Sequence, residues 1–204
     1  MSSNSSIVNK VLESKLQNNV SKDDAEEAVK TIIKWIGDNP EREGLKETPK
    51  RVVKSFLEHY AGYLEDPQEI LQKTFKETEG YEDIVVLKNI EFESHCEHHM
   101  LPIIGKASIG YYPNKRIVGI SKLARVLNTF AKRLQTQEIM TAQILKAIDE
   151  NLKPLGTAII VEGEHHCMMT RGVHKKHASM ITKQFSGCFQ LDQSLQRRFL
   201  DLIR

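Results

Sequence analysis

Apolar positions along the chain change their period near Gly80, from helical spacing before it to strand-like alternation after it. Residues 1–6 are Ser/Asn-rich and predict a frayed start, and Ile7 to Val20 is only weakly helical. Ser21 to Trp35 is a better helix. Ser21 can cap it, Asp23 and Asp24 suit its N-terminus, and Ala28, Ile32 and Trp35 fall at helical spacing. Gly37 to Gly44 interrupts the pattern. Thr48-Pro49 then sets a capping hydroxyl before a proline at the first helical position, with Val52, Val53, Phe56, Leu57 and Tyr60 following on one face.

Beyond Gly80, Ile84 to Glu93 reads as a strand and Lys106 to Tyr112 as its partner. Pro113-Asn114-Lys115-Arg116 forms a turn before a short extension at Ile117-Val118. Ser121 can cap a helix carrying Leu123, Val126, Leu127, Phe130 and Leu134. A second helix carries Ile144, Leu145, Ile148 and Leu152 and ends near Pro154-Leu155-Gly156. Thr157 to Glu162, continuing toward Thr170, and Ala178 to Phe189 are two more strands, and Asp192 can cap a final helix to Ile203. This order predicts an α+β protein: an N-terminal helical region over 1–80, then a domain over 81–204 with a four-stranded antiparallel sheet and helices on one face. Such a sheet leaves two open edges, which an oligomer joining sheets edge to edge would cover.

Composition narrows the function classes. Of 204 residues, 40% are hydrophobic and 27% charged, which is globular rather than disordered. Lys plus Arg is 29 against 27 Asp plus Glu, a net charge of +2 that argues against general nucleic-acid binding. No apolar run approaches the ~18 residues of a membrane span. The start lacks the basic and apolar regions of a secretory leader. Three cysteines, Cys96, Cys167 and Cys188, are too few and too odd a number for a disulfide framework, so we expect a cytoplasmic protein.

The densest chemistry is Ser94-His95-Cys96-Glu97-His98-His99, where Cys96 and His99 have the spacing of a metal-ligand pair on a turn. A second cluster, Glu164-His165-His166-Cys167, stands at the far end of another predicted strand. Thiolate and imidazole both suit zinc, and three protein ligands leave a fourth position for water. On spacing alone, catalytic zinc, structural zinc and no metal all stay open. Cys188 reads as core, His59 as surface, and His174 and His177 as solvated members of a basic loop. Lys122 and Arg125 fall in the first turns after Ser121, where a helix N-terminus already favours anions. Arg171 follows Cys167, and Arg51 and Lys54 share a helix face. Each is a solvated basic face on its own; beside a metal cluster they suit a phosphorylated small substrate. Gln135-Thr136-Gln137-Glu138 is a polar helix junction in which Glu138 can accept two N–H groups of a guanine-like edge.

Cys96-Glu97-His98-His99, Gly119-Ile120-Ser121-Lys122-Leu123-Ala124-Arg125, Gln135-Thr136-Gln137-Glu138 and His165-His166-Cys167-Met168-Met169-Thr170-Arg171-Gly172 together resemble the GTP cyclohydrolase I family. The resemblance runs from about Thr48 to the C-terminus. It implies the tunnelling fold and a homodecamer of two pentamers with active sites between subunits. It also implies conversion of GTP and water to formate and 7,8-dihydroneopterin triphosphate. By the same resemblance Cys96, His99 and Cys167 hold Zn2+, and His98 and His165 transfer protons around N7 and the ribose oxygen. Gln137 and Glu138 hold the guanine edge, and Ser121 lies near the ribose and phosphates. Lys122, Arg125, Arg171, Arg51 and Lys54 bind the triphosphate.

The chain departs from the family pattern with Leu134 for the usual Pro, Ile139 for a common Arg, a less Thr-rich strand at Met180–Ser186, and His166 for Tyr or Met. Two other classes stand beside this reading: a structural-zinc binding module, and a related tunnelling-fold nitrile reductase with a nucleophilic cysteine and a nicotinamide cofactor.

Overall fold

The computed structural model describes residues 20–72, 74–75 and 81–204. The frayed start and all but the last residue of the weak helical pattern at Ile7–Val20 lie outside them. The chain divides into two compact units, Met1–Leu64 and Glu65–Arg204.

In the first unit, α1 (Lys22–Trp35) starts as expected at Ser21, which forms a reciprocal capping box with Asp24. Its inward face runs through Ala25, Val29 and the buried Ile33, while Ile32 and Trp35 stay exposed. The apolar stripe is thus rotated by one residue from the expected one. In α2 (Thr48–His59), Pro49 sits in the first turn, but Thr48 is already helical and its hydroxyl caps nothing; Glu47 holds the cap position. A 3-10 turn over Ala61–Leu64 closes the unit.

The second unit opens with α3 (Pro67–Leu71), capped by Asp66, and β1 (Thr74–Phe75). There follow β2 (Val85–Cys96), β3 (Pro102–Tyr112), β4 (Ile117–Val118), α4 (Ile120–Ala131), β5 (Leu134–Gln135) and α5 (Gln137–Leu152). The chain ends with β6 (Gly156–His165), α6 (His166–Met169), β7 (Ser179–Phe185), α7 (Gly187–Leu191) and α8 (Gln193–Ile203). The main sheet has the order β5-β2-β3-β6-β7, and β1 and β4 form a separate ribbon.

Three expectations are corrected. The sheet has five strands rather than four: Leu134-Gln135 runs parallel to the end of β2, pairing with His95 and Cys96. Two residues carry no readable alternation, so this strand has no sequence signal. Helices also cover both faces of the sheet. Ile103, Ala107, Ile109, Ile159 and Val161 pack with α4 and α5, whereas Ala158, Ile84, Phe189 and Phe199 form a second core with α7 and α8. Ala158 and Ile160 are as apolar as their inward neighbours, which is the near-continuous pattern of a strand buried on two sides. Finally, β7 stops at Phe185, because Gly187 takes a left-handed φ of 52° and starts α7. Cys188 and Phe189 are therefore helical, Phe189 fully buried and Cys188 half-buried beside it.

Ser121 also differs from its expected place. Gly119 precedes α4 and Ser121 lies exposed inside the first turn. Asp192 does cap α8, accepting from the N–H groups of Ser194 and Leu195.

At Gly110 a Cβ would stand 2.8 Å from the ring of Phe199, which is fully buried and has no room to retreat. Gly110→Ala is expected to lower the unfolding free energy by about 1–3 kcal/mol through overpacking. Chemical denaturation of both chains measures this, and an unchanged midpoint would show that the second core yields.

Candidate metal centre

Antiparallel pairing brings two distant sequence motifs to one end of the sheet. Ser94 is opposite Ile103 across β2–β3, and Ile103 is opposite His165 across β3–β6. The C-terminal ends of β2 and β6 are thus separated only by the start of β3. Cys96 closes a tight turn: its carbonyl accepts from Met100 N–H at 2.8 Å, and Met100 takes a left-handed φ of 54°. β5 braces the same point, since Glu97 N–H donates to Gln135 O at 3.0 Å. Cys167 lies in α6, directly after β6 ends at His165.

One ligand atom each from Cys96, His99 and Cys167 lies within 4.8 Å of the others. Tetrahedral coordination at ~2.0–2.3 Å holds donor atoms about 3.3–3.8 Å apart, inside that limit. Cys96 is buried, Cys167 half-buried and His99 exposed, so the trio has a dry side and a wet side. Burial, and then the neighbouring Cys96, push the Cys167 thiol above its ordinary range. A thiol that resists ionisation becomes a thiolate readily beside a cation. The donor set therefore fits a thiophilic divalent metal such as zinc.

Two other expected residues lie against the trio, His98 and Arg171. Nδ1 of His98 is 3.8 Å from Cys96 Sγ. Arg171 Nη1 lies 2.8 Å from His99 Nε2, so the guanidinium reaches the trio directly. His165 Nε2 meets Gln137 Oε1 at 3.0 Å. Burial pushes the His165 imidazole below its ordinary value, with the Glu138 carboxylate opposing that shift. Glu138 is exposed in the first turn of α5, which Thr136 caps; the Gln137 side chain is fully buried. His166, although adjacent to His165, makes no side-chain hydrogen bond among the described residues.

Some residues are not joined to the trio. Ser121, Lys122 and Arg125 lie on the first two turns of α4, and no described hydrogen bond links their side chains to it. Arg51 and Lys54 are exposed on α2 of the first unit. Leu134 does not lengthen α4, which ends at Ala131; it lies in β5 instead. A groove of about 790 Å³ is lined by Glu91, Glu93, Lys106, Lys132, Glu162 and Glu164 but by none of the trio. Sequence reasoning missed Gly163 and Thr182, which contact Gln137. A glycine inside a strand signals close approach of another group and was the available clue.

A thiol–imidazole cluster that could hold a metal ion thus stands at one end of a largely antiparallel, helix-covered sheet in an α+β protein. Over residues 25–204 the sequence matches GTP cyclohydrolase I, and the chain belongs to that family. It is 60% identical over 182 residues to GTP cyclohydrolase 1 of Hyphomonas neptunium, covering 89% of this chain and 88% of the relative. It is 52% identical over 194 residues to GTP cyclohydrolase 1 of Pelagibacter ubique, covering 95% of each. The Maricaulis maris GTP cyclohydrolase 1 is 53% identical over 183 residues, covering 90% of this chain and 89% of its own.

Proposed function

We propose that this chain is a zinc-dependent GTP cyclohydrolase. It converts GTP and water to formate and 7,8-dihydroneopterin triphosphate, the first step of pterin and tetrahydrofolate biosynthesis. The observation that supports this most is the convergence of Cys96, His99 and Cys167 in a chain of this family. When bound there, zinc supplies Lewis acidity and brings the pKa of a coordinated water to ~7.

The remaining work falls to side chains. His165, held toward its neutral form by burial, takes and returns a proton as the imidazole ring of guanine opens at C8. His98 shares the proton transfers around N7 and the ribose oxygen. The Glu138 carboxylate accepts two N–H groups of the base. Ser121, Lys122, Arg125 and Arg171 bind the ribose and triphosphate; Arg51 and Lys54 join them on the resemblance alone.

We read the sheet as a tunnelling fold and the enzyme as a homodecamer of two pentamers, acting in the cytoplasm, where thiols stay reduced. Two features support shared sites. The metal trio has an exposed side, and β7 is an edge strand with one free flank among the described residues. No helix among those residues is long and apolar enough to cross a membrane. The nitrile-reductase alternative needs a cysteine outside the trio, and Cys188 lies beside Gly156, at the other end of β6.

The test is purified, zinc-loaded protein with GTP, followed for formate and for a fluorescent oxidised pterin. Absence of both would end the proposal. Glu138→Gln is expected to lower kcat/KM for GTP roughly 10–100-fold, since a hydrogen bond to a charged group is worth ~1.5–3 kcal/mol. Steady-state kinetics read this, and parent-like turnover would return Glu138 to a helix-junction role.

A further inference from the structure

The side-chain amide of Gln137 is committed at both ends. Its Nε2 donates to Val161 O at 3.1 Å, Met180 O at 2.9 Å and Thr182 Oγ1 at 3.2 Å. Two carbonyl oxygens cannot face an amide oxygen, so the partners determine which way the amide points. Oε1 is the atom left facing His165 Nε2 at 3.0 Å. An amide oxygen only accepts, so the imidazole donates from Nε2, and the lone pair of a neutral ring lies on Nδ1.

Gly163 makes this arrangement possible. A Cβ there would stand 2.6 Å from Gln137 Oε1 and 3.1 Å from Ile103 Cγ2. The tip of a free glutamine would swing aside, but this one is pinned by its donor contacts. Thr141 adds a further brace: its hydroxyl donates to Gln137 O at 2.7 Å and lies 2.7 Å from Thr182 Oγ1. The amide is fully buried and has no donor left for a base edge.

We infer that Gln137 is a positioning residue whose carbonyl oxygen selects the Nε2–H tautomer of His165, reserving Nδ1 for proton exchange with substrate, and that Gly163 is the cradle admitting it. This rests on the reading of His165 as the proton-transfer group, and it leaves the guanine edge to Glu138.

The test compares zinc-loaded parent, Gln137→Ala, Gly163→Ala and the double variant. Steady-state kinetics, metal content and solid-state ¹⁵N spectra of labelled histidine rings are read at about pH 8.5, where imidazoles are neutral. His165→Ser identifies the His165 signals. The parent is expected to show the protonated nitrogen of His165 at Nε2, and both single variants a mixture of tautomers. Their kcat should fall about 10–100-fold, less than the ~10²–10⁴ of deleting an acid–base group, with KM and zinc nearly unchanged.

The double variant should match Gln137→Ala, because the amide oxygen that a methyl group on Gly163 would strike is gone. An unchanged tautomer in Gln137→Ala, a raised KM at parent kcat, or additive losses would each overturn the inference. If Gln137→Ala does not fold, Gly163→Ala decides by its spectrum, since it keeps the amide but displaces it. If the parent fails to turn over GTP, the proposed reaction falls, while the parent and variant spectra still decide the tautomer.

Discussion

Cys96→Ala and Cys167→Ala are each expected to abolish metal binding and turnover together, while Cys188→Ala keeps both. The trio places three donors within 4.8 Å, and two of them are these thiols. Removing one leaves a thiol and an imidazole, a pair too weak to hold zinc against buffer. Metal catalysis is worth several kcal/mol of transition-state stabilisation, and each ~1.4 kcal/mol is tenfold in rate. Turnover should therefore fall on the order of 10³-fold or more. Cys188, on α7, packs in the second core and serves as the control.

Metal analysis beside formate yield measures the effect. A fully active, metal-free preparation would sink the metal reading. Chelation of the parent separates catalytic from structural zinc. A catalytic site loses activity while far-UV circular dichroism persists, because two cores hold the second unit together. A structural site would unfold it.

His98→Ser and His165→Ser are each expected to retain zinc and lose about 10²–10⁴-fold in pterin formation, the range of general acid–base catalysis. Neither belongs to the closest donor group, yet His98 Nδ1 is 3.8 Å from Cys96 Sγ and His165 ends the strand that leads into Cys167. Both can thus serve a substrate at the metal without occupying it. His166→Ser should be much milder, since its ring has no described hydrogen bond that orients it. Zinc content, formate and pterin are measured for all three. A dead His166→Ser with a working His165→Ser would move the proton-transfer role one residue on. Loss of metal from His98→Ser or His165→Ser would make that residue a ligand.

The helices and long strands were legible because their periods are long enough to count. α1 with its Ser21 cap, α8 with its Asp192 cap and the Lys106–Tyr112 part of β3 needed no tertiary information, whereas the start of β3 at Pro102–Gly105 was not legible. Short elements were not legible. β5 has two residues, and its existence depends on Cys96 arriving beside it. The break at Gly187 looked like continued strand because Cys188-Phe189 is as apolar as the strand before it. Which face of α1 turns inward depends on what it packs against, and Ile32, Ile33 and Trp35 are all apolar enough to compete.

The sequence by itself determined the chemistry available here: which residues can ligate a metal, carry a proton or bear charge, and the four ordered motifs that mark the family. Residue type and order along the chain are sufficient for that. Only the tertiary structure decided who meets whom. The register Ser94–Ile103–His165 brings two motifs some seventy positions apart to one sheet end, and that register is a property of strand pairing, invisible in either motif alone. It also buries Gln137 and sets its amide against His165. A side chain's role depends on where its donors find acceptors, and here they are carbonyls of β6 and β7 that only folding delivers.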